Sequence, residues 1–156
     1  MATKKNGGIG LLLGVLLVLP TAGTLAAPSA AKTVLITPFR FYAPADVAFL
    51  NPGILEMLTT RLLRVGSLSV KEWTKSPVDP AEAMVLAQKQ QADFILVGGI
   101  TIFDDRVSTD ARLLDARDGQ PVLLFSRFGR RPGDVLEHVD LLAAEMAEFF
   151  GAKGGH

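Results

Sequence analysis

The chain has 156 residues, 16 basic and 16 acidic side chains, and no cysteine. Its formal net charge of zero gives no support to a nucleic-acid partner, whose footprint is a strongly basic face. The missing thiol excludes disulfides, thiol catalysis and the acylated cysteine that anchors bacterial lipoproteins, so the sequence reads as something other than a lipoprotein.

The first element is an export signal. Lys4 and Lys5 precede an uncharged, mainly apolar run from Ile9 to Leu19; Pro20 breaks it, and small residues lead to Ala26. A charged start, a short apolar middle and a small-residue end are the parts of a cleavable secretory signal. The run is short against the roughly 20 apolar residues that cross a bilayer. Residues 1–26 are therefore expected to be removed after Ala26, and no transmembrane segment is expected to remain. The mature chain keeps 14 basic and 16 acidic residues, a net of −2. The mean hydropathy of +0.32 is inflated by the signal.

Residues 27–32 form a small-residue spacer. Thr33 to Phe39 reads as a buried strand closed by Pro38, followed by a loop with Pro44 and Pro52. Ile54, Leu55, Met57, Leu58, Leu62 and Leu63 recur at helical spacing, with Gly66 as the stop. Leu68 to Trp73 alternates as a second strand. Asp79-Pro80 then opens a helix, with Glu82 at capping-box spacing; it runs from Ala81 to Gln90, with Met84, Val85 and Ala87 predicted inward.

The second half changes character. Ala92 to Phe103 is a long strand, with Gly98 and Gly99 permitting a bend or a close backbone approach. Asp104-Asp105 reads as a turn, and Arg106 to Ala116 alternates like an antiparallel strand with one wet face. Asp118-Gly119 marks another hairpin, Pro121 to Phe128 the last strand, and Asp134 to Phe150 the last helix, with Val135, Val139, Leu142, Met146 and Phe149 as its stripe. Residues 151–156 are expected to be a disordered tail. The fold class is mixed α/β, one domain over 33–150 in two or three layers, in the order β-α-β-α-β-β-β-α. The helix-linked strands should pair in parallel and the last three as an antiparallel meander.

The opening strand VLITPF and the stretch ADFILVGGITIFDDRVSTDARLLDARDGQPV carry a resemblance. They are similar to the bacterial envelope family that includes the N-terminal domain of TolB, FlgO, LpoB and the soluble part of CsgG. The resemblance spans Thr33 to about Phe150 and is most specific over Ala92 to Gly119. It implies the shared α/β core standing alone, without the propeller, membrane hairpins or acylated cysteine found among those relatives. It also implies a periplasmic location, peripheral to the outer membrane, and a protein complex of the envelope as partner. Architecture follows from such a likeness; chemistry does not.

Chemistry-bearing residues are sparse. His138 and His156 lack metal-ligand spacing, so each is expected to be packed or solvated, with no metal site. Asp104, Asp105, Asp110, Asp115 and Asp118 fall at turns or on a wet face and give neither an acid–base pair nor a calcium loop. No serine stands in a nucleophile elbow and no glycine run makes a phosphate loop. The expectation is a protein that is not an enzyme and takes no cofactor: an exported interaction module of the cell envelope. The alternative is a small periplasmic ligand-binding domain or enzyme with a cleft at the strand ends. Partner contact is expected at two places chosen for aromatic or cationic character: Phe41, Tyr42 and Phe49 around the first loop, and Arg127, Arg130 and Arg131 after the last strand.

Overall fold

A computed structural model describes residues 1–3, 31–43, 50–66 and 68–153. The signal segment and the cut after Ala26, the start of the spacer, Phe49 and the end of the tail lie outside these residues. The expected fold class holds: one mixed sheet of six strands with three helices packed on it.

Strand β1 (Lys32–Ile36) is an interior strand, parallel to β3 (Leu68–Glu72) on one side and to β4 (Phe94–Phe103) on the other. Val34, Leu35 and Ile36 are fully buried, as an apolar β-branched run covered on both faces must be. Asp93 fixes the start of this core. Its carboxylate accepts the Thr33 amide at 2.8 Å, and its own amide donates to the Thr33 carbonyl at 2.9 Å.

The segment after Pro38, expected as loop, contains a short extra strand. β2 (Arg40–Tyr42) pairs in parallel with the far half of β4, so β1 and β2 form one strand line interrupted at Thr37-Pro38-Phe39. Proline donates no amide and breaks the ladder. The buried Thr37 hydroxyl bridges the gap by donating to the Leu96 carbonyl at 2.9 Å.

Helix α1 (Leu50–Leu62) begins earlier than the proline spacing suggests, because Pro52 sits in its first turn, where the missing donor costs little. It ends at Leu62 rather than at Gly66. Ile54, Leu58 and Leu62 face inward, while Leu63, counted in the apolar stripe, is exposed beyond the helix end. Helix α2 (Pro80–Lys89) has the expected cap, with the Asp79 carboxylate accepting the Glu82 amide at 2.9 Å. Its inward residues are Ala83, Leu86 and Ala87, not Met84 and Val85; Val85 is exposed. Three small or compact side chains let the helix sit close to the sheet.

β4, β5 (Arg106–Asp115) and β6 (Pro121–Gly129) form the antiparallel meander, turning at Asp104-Asp105 and around Asp118-Gly119. The glycine pair makes no bulge, since β4 pairs with β5 without a break over all ten residues. Gly98 serves close approach instead: a Cβ there would lie 2.7 Å from the Asp110 carbonyl oxygen and 2.8 Å from the Phe39 ring. Helix α3 (Val135–Lys153) follows a short 3-10 turn and runs into the segment expected as a tail. Phe150 takes the fully inward place expected for Phe149, which is partly buried.

Two clusters result. The larger lies between α1, α3 and one sheet face; the smaller lies under α2 on the other face, around Leu35, Ile95 and Leu114.

Candidate functional site

Helix α2 has ten residues, about 15 Å at 1.5 Å per residue. It covers the β1 end of β4 through Ile95 and Val97 and stops there. Among the described residues no helix covers the remaining half of that sheet face: β2, the far half of β4, and the facing parts of β5 and β6.

The pairing register lays its side chains in rows. Arg40, Gly99, Asp110 and Ser126 form one row across four strands, and Tyr42, Thr101, Ser108 and Phe128 form the next. Arg112 and Leu124 flank the first row, and Phe103 and Arg106 close the far end. Tyr42, Phe103, Leu124 and Phe128 are 60%, 73%, 68% and 83% exposed. Large apolar side chains at such exposure, gathered on one face, mark interaction surfaces in folded proteins.

The polar groups of the middle row are organised by Asp110. Its carboxylate accepts the Ser126 hydroxyl at 2.8 Å and the Ser108 hydroxyl at 3.0 Å. Gly99, with no side chain, leaves a floor between Arg40 and Asp110. These groups line a shallow open depression of about 600 Å³, bordered by Tyr42, Arg112 and Leu124. A second depression of about 720 Å³ lies beside it among Phe103, Arg106, Phe128 and Arg130. The face is cationic by composition, with Arg40, Arg106, Arg112 and Arg130 against Asp105 and Asp110.

The arrangement presents a carboxylate, two hydroxyls, guanidinium groups and apolar side chains on one face. Each serine hydroxyl donates straight to the carboxylate with no imidazole between them, so the row does not form the nucleophile–base–orienter relay of acyl-transfer sites. His138 lies on the opposite side of the sheet, buried, sharing a 2.9 Å hydrogen bond with the Thr109 hydroxyl. Burial pulls its imidazole below the ordinary value, so it stays neutral. Among the described residues no group of His, Asp and Glu is arranged to hold a metal ion.

The residues singled out from the sequence do not form one surface. Tyr42 stands on the bare face and Arg130 borders its second depression. Phe41 points the other way and packs against the larger core. Arg127 also lies on the α3 side, where its guanidinium donates to Glu145 and sits 4.9 Å from the Phe125 ring. Arg131 is exposed and turned toward Asp134, 3.4 Å away. The Asp134 carboxylate also accepts the Arg130 and Arg131 amides at 2.9 and 3.2 Å, and the Arg130 amide bond above all holds its pKa below the usual carboxylate range. The three arginines thus face three directions because two of them order the β6–α3 connection.

Sequence reasoning missed Phe103, Leu124, Phe128, Arg106 and Arg112. The β5 alternation carried the signal for the two arginines. β6 is apolar on both faces, Leu123 and Phe125 on one and Leu124 and Phe128 on the other, so its pattern gives no direction.

No protein-family model matches the chain, and no curated protein matches it. Solved structures do share its fold. CT253 from Chlamydia trachomatis is 12% identical at a TM-score of 0.55, covering 78% of this chain and 99% of that one. The PelC dodecamer from Paraburkholderia phytofirmans is 19% identical at 0.54, covering 78% and 89%. Lipoprotein GNA1162 from Neisseria meningitidis is 19% identical at 0.50, covering 74% and 96%. The α/β core implied by the resemblance is what these bacterial proteins have in common with this chain; at such identities the likeness is one of fold. No helix among the described residues is long and apolar enough to cross a membrane.

Proposed function

We propose that the chain is an exported, non-enzymatic interaction module of the bacterial cell envelope, docking a protein complex through the bare half of its sheet. The observation that carries this reading is the row structure of that face. Four exposed apolar side chains and three arginines lie on the sheet, with Arg130 at its rim, where no described helix covers them. Aromatic and arginine side chains are the residue types that anchor protein interfaces. The export signal and the fold shared with lipoprotein GNA1162 support an envelope setting. The fold shared with PelC, a dodecamer, supports protein contact as the use of this core.

The test is affinity capture from envelope extract with the mature chain. One complex should be enriched reproducibly and lost with Tyr42→Ser combined with Phe103→Ser. Arg131→Ala, turned toward Asp134, should leave capture unchanged. Capture that is indifferent to the double variant removes the face from the reading. A second reading, a small-ligand site, is favoured by the depression over Gly99, whose size lies within the range of about 300–1,000 Å³ found for ligand pockets. A polar ligand that raises the melting temperature of the wild type but not of Arg40→Ala would replace the docking reading.

A further inference from the structure

Among the described residues β6 is the last strand of the sheet, and no described strand lies beside its outer row of backbone donors and acceptors. Proteins guard such edges with brevity, lysine, proline, bulges or inward charges, because an unguarded edge pairs with another strand. The opposite edge follows the rule: β3 has five residues and includes Lys71 and Glu72. β6 is guarded less. It is nine residues long, its proline stands at the first position, its register shift lies near that same end, it contains no lysine, and its one charged residue, Arg127, is already paired with Glu145 of its own chain. Leu124 and Phe128 are exposed along it, 68% and 83%.

We propose that this edge pairs with the β6 of a second copy, antiparallel, about a two-fold axis through Ser126, joining the two sheets into one. The strand is self-complementary in that register. Ser126 meets its twin, and Leu124 lies opposite Phe128 of the second copy on the bare face. On the other face Phe125 lies opposite Arg127 of the second copy. That repeats between chains the cation–ring contact already made within each chain. Cross-strand pairs of these kinds stabilise sheets.

The helix layer fits the same axis. α3 packs on both β5 and β6. An axis perpendicular to the sheet keeps both α3 helices on one side, roughly two strand spacings apart, about 9.6 Å. Helices pack at about 8–10 Å. His138 and Glu145 reach β5 and β6 from α3, and Leu141 lies on the same side of the helix, 39% exposed. Charge is balanced there as well, because the Arg127–Glu145 pair of each copy leaves no net charge at the axis.

The chain has no cysteine, so single thiols report the register directly. In the folded full-length chain under mild oxidation, Ser126→Cys should crosslink to its twin, since directly opposed residues lie about 4.5–5.5 Å apart, within disulfide reach. Leu124→Cys or Phe128→Cys alone should not crosslink, being about 14 Å from its own twin (four residues at about 3.4 Å). Together they should. The unmodified chain should sediment as a dimer at tens of micromolar, and Leu124→Lys with Phe128→Lys should shift it to monomer, with circular dichroism showing each variant folded. The proposal is overturned if the unmodified chain sediments as a monomer or as a ring of more than two copies. It is also overturned if Ser126→Cys crosslinks no faster than Thr101→Cys, which stands away from the edge. The sedimentation of the unmodified chain and the Ser126→Cys crosslink leave Tyr42 and Phe103 untouched, so they read the edge separately from capture through that face.

Discussion

At the scale of single residues, the sheet depends on a few side chains whose environment leaves little choice. Gly98 is one. A methyl group there meets the Asp110 backbone and the Phe39 ring at under 3 Å; the first is fixed in the β4–β5 ladder and the second is buried in the larger cluster. Gly98→Ala should therefore destabilise the fold by about 1–3 kcal/mol, the usual cost of overpacking, measured by urea unfolding. Gly99→Ala, with its nearest neighbour at 3.5 Å, should cost less. His138 is another. Its imidazole is depressed by burial, so the unfolded chain takes up a proton at a pH where the folded chain does not. Stability from this group is complete above the unfolded value of about 6.5 and is lost as pH falls through the lower folded value. Unfolding free energy should decline between pH 7 and 5 in the wild type and stay flatter in His138→Gln. Asp134, also depressed, contributes in a lower window: its share is present above the ordinary carboxylate range and lost in more acid solution.

At the scale of elements, local chemistry decides where the pieces begin and packing decides which face turns inward. The Asp79 cap was readable because an N-cap acceptor before proline has one strong use. Asp79→Ala should lower stability by about 1 kcal/mol with no change in near-ultraviolet spectrum, since α2 keeps its seat on the sheet. The α2 stripe was misread at Met84 and Val85 because a helix against a sheet can present small residues, and alanine carries little hydropathic signal. β2 was unreadable for a different reason. Three residues, Arg40 to Tyr42, have no period of their own and become a strand only because β4 runs on beside them. The meander was the most legible part, since turn residues and strict alternation in β5 agree on one structure. The bare face follows from a length: α2 begins at Pro80, short of β2, and nothing in its sequence announces what it leaves uncovered.

At the scale of the molecule, one sheet separates a larger cluster beneath α1 and α3 from a smaller one beneath α2. They share β1 and β4, whose alternate side chains enter opposite clusters, so neither can melt without exposing the other. Thermal unfolding should be a single transition. The chain's one tryptophan, Trp73, packs against the smaller cluster, so its fluorescence should change at the same temperature as the far-ultraviolet signal. An earlier tryptophan transition would show that the α2 side opens by itself.

The place of β1 has a consequence in time. The first described strand lies between two strands made later, which pair with it through Lys32 and Leu68 on one side and Val34 and Phe94 on the other. Translation at about 5–20 residues per second puts roughly 3–12 s between the appearance of Val34 and that of Phe94. For those seconds a segment that ends with zero solvent exposure has no seat, while the later meander can zip up locally as it emerges. Whether it emerges from a ribosome or from an export channel, a chain of this topology needs its first strand shielded for such an interval, and a permuted chain that starts at β3 and delivers β1 last should need that help least.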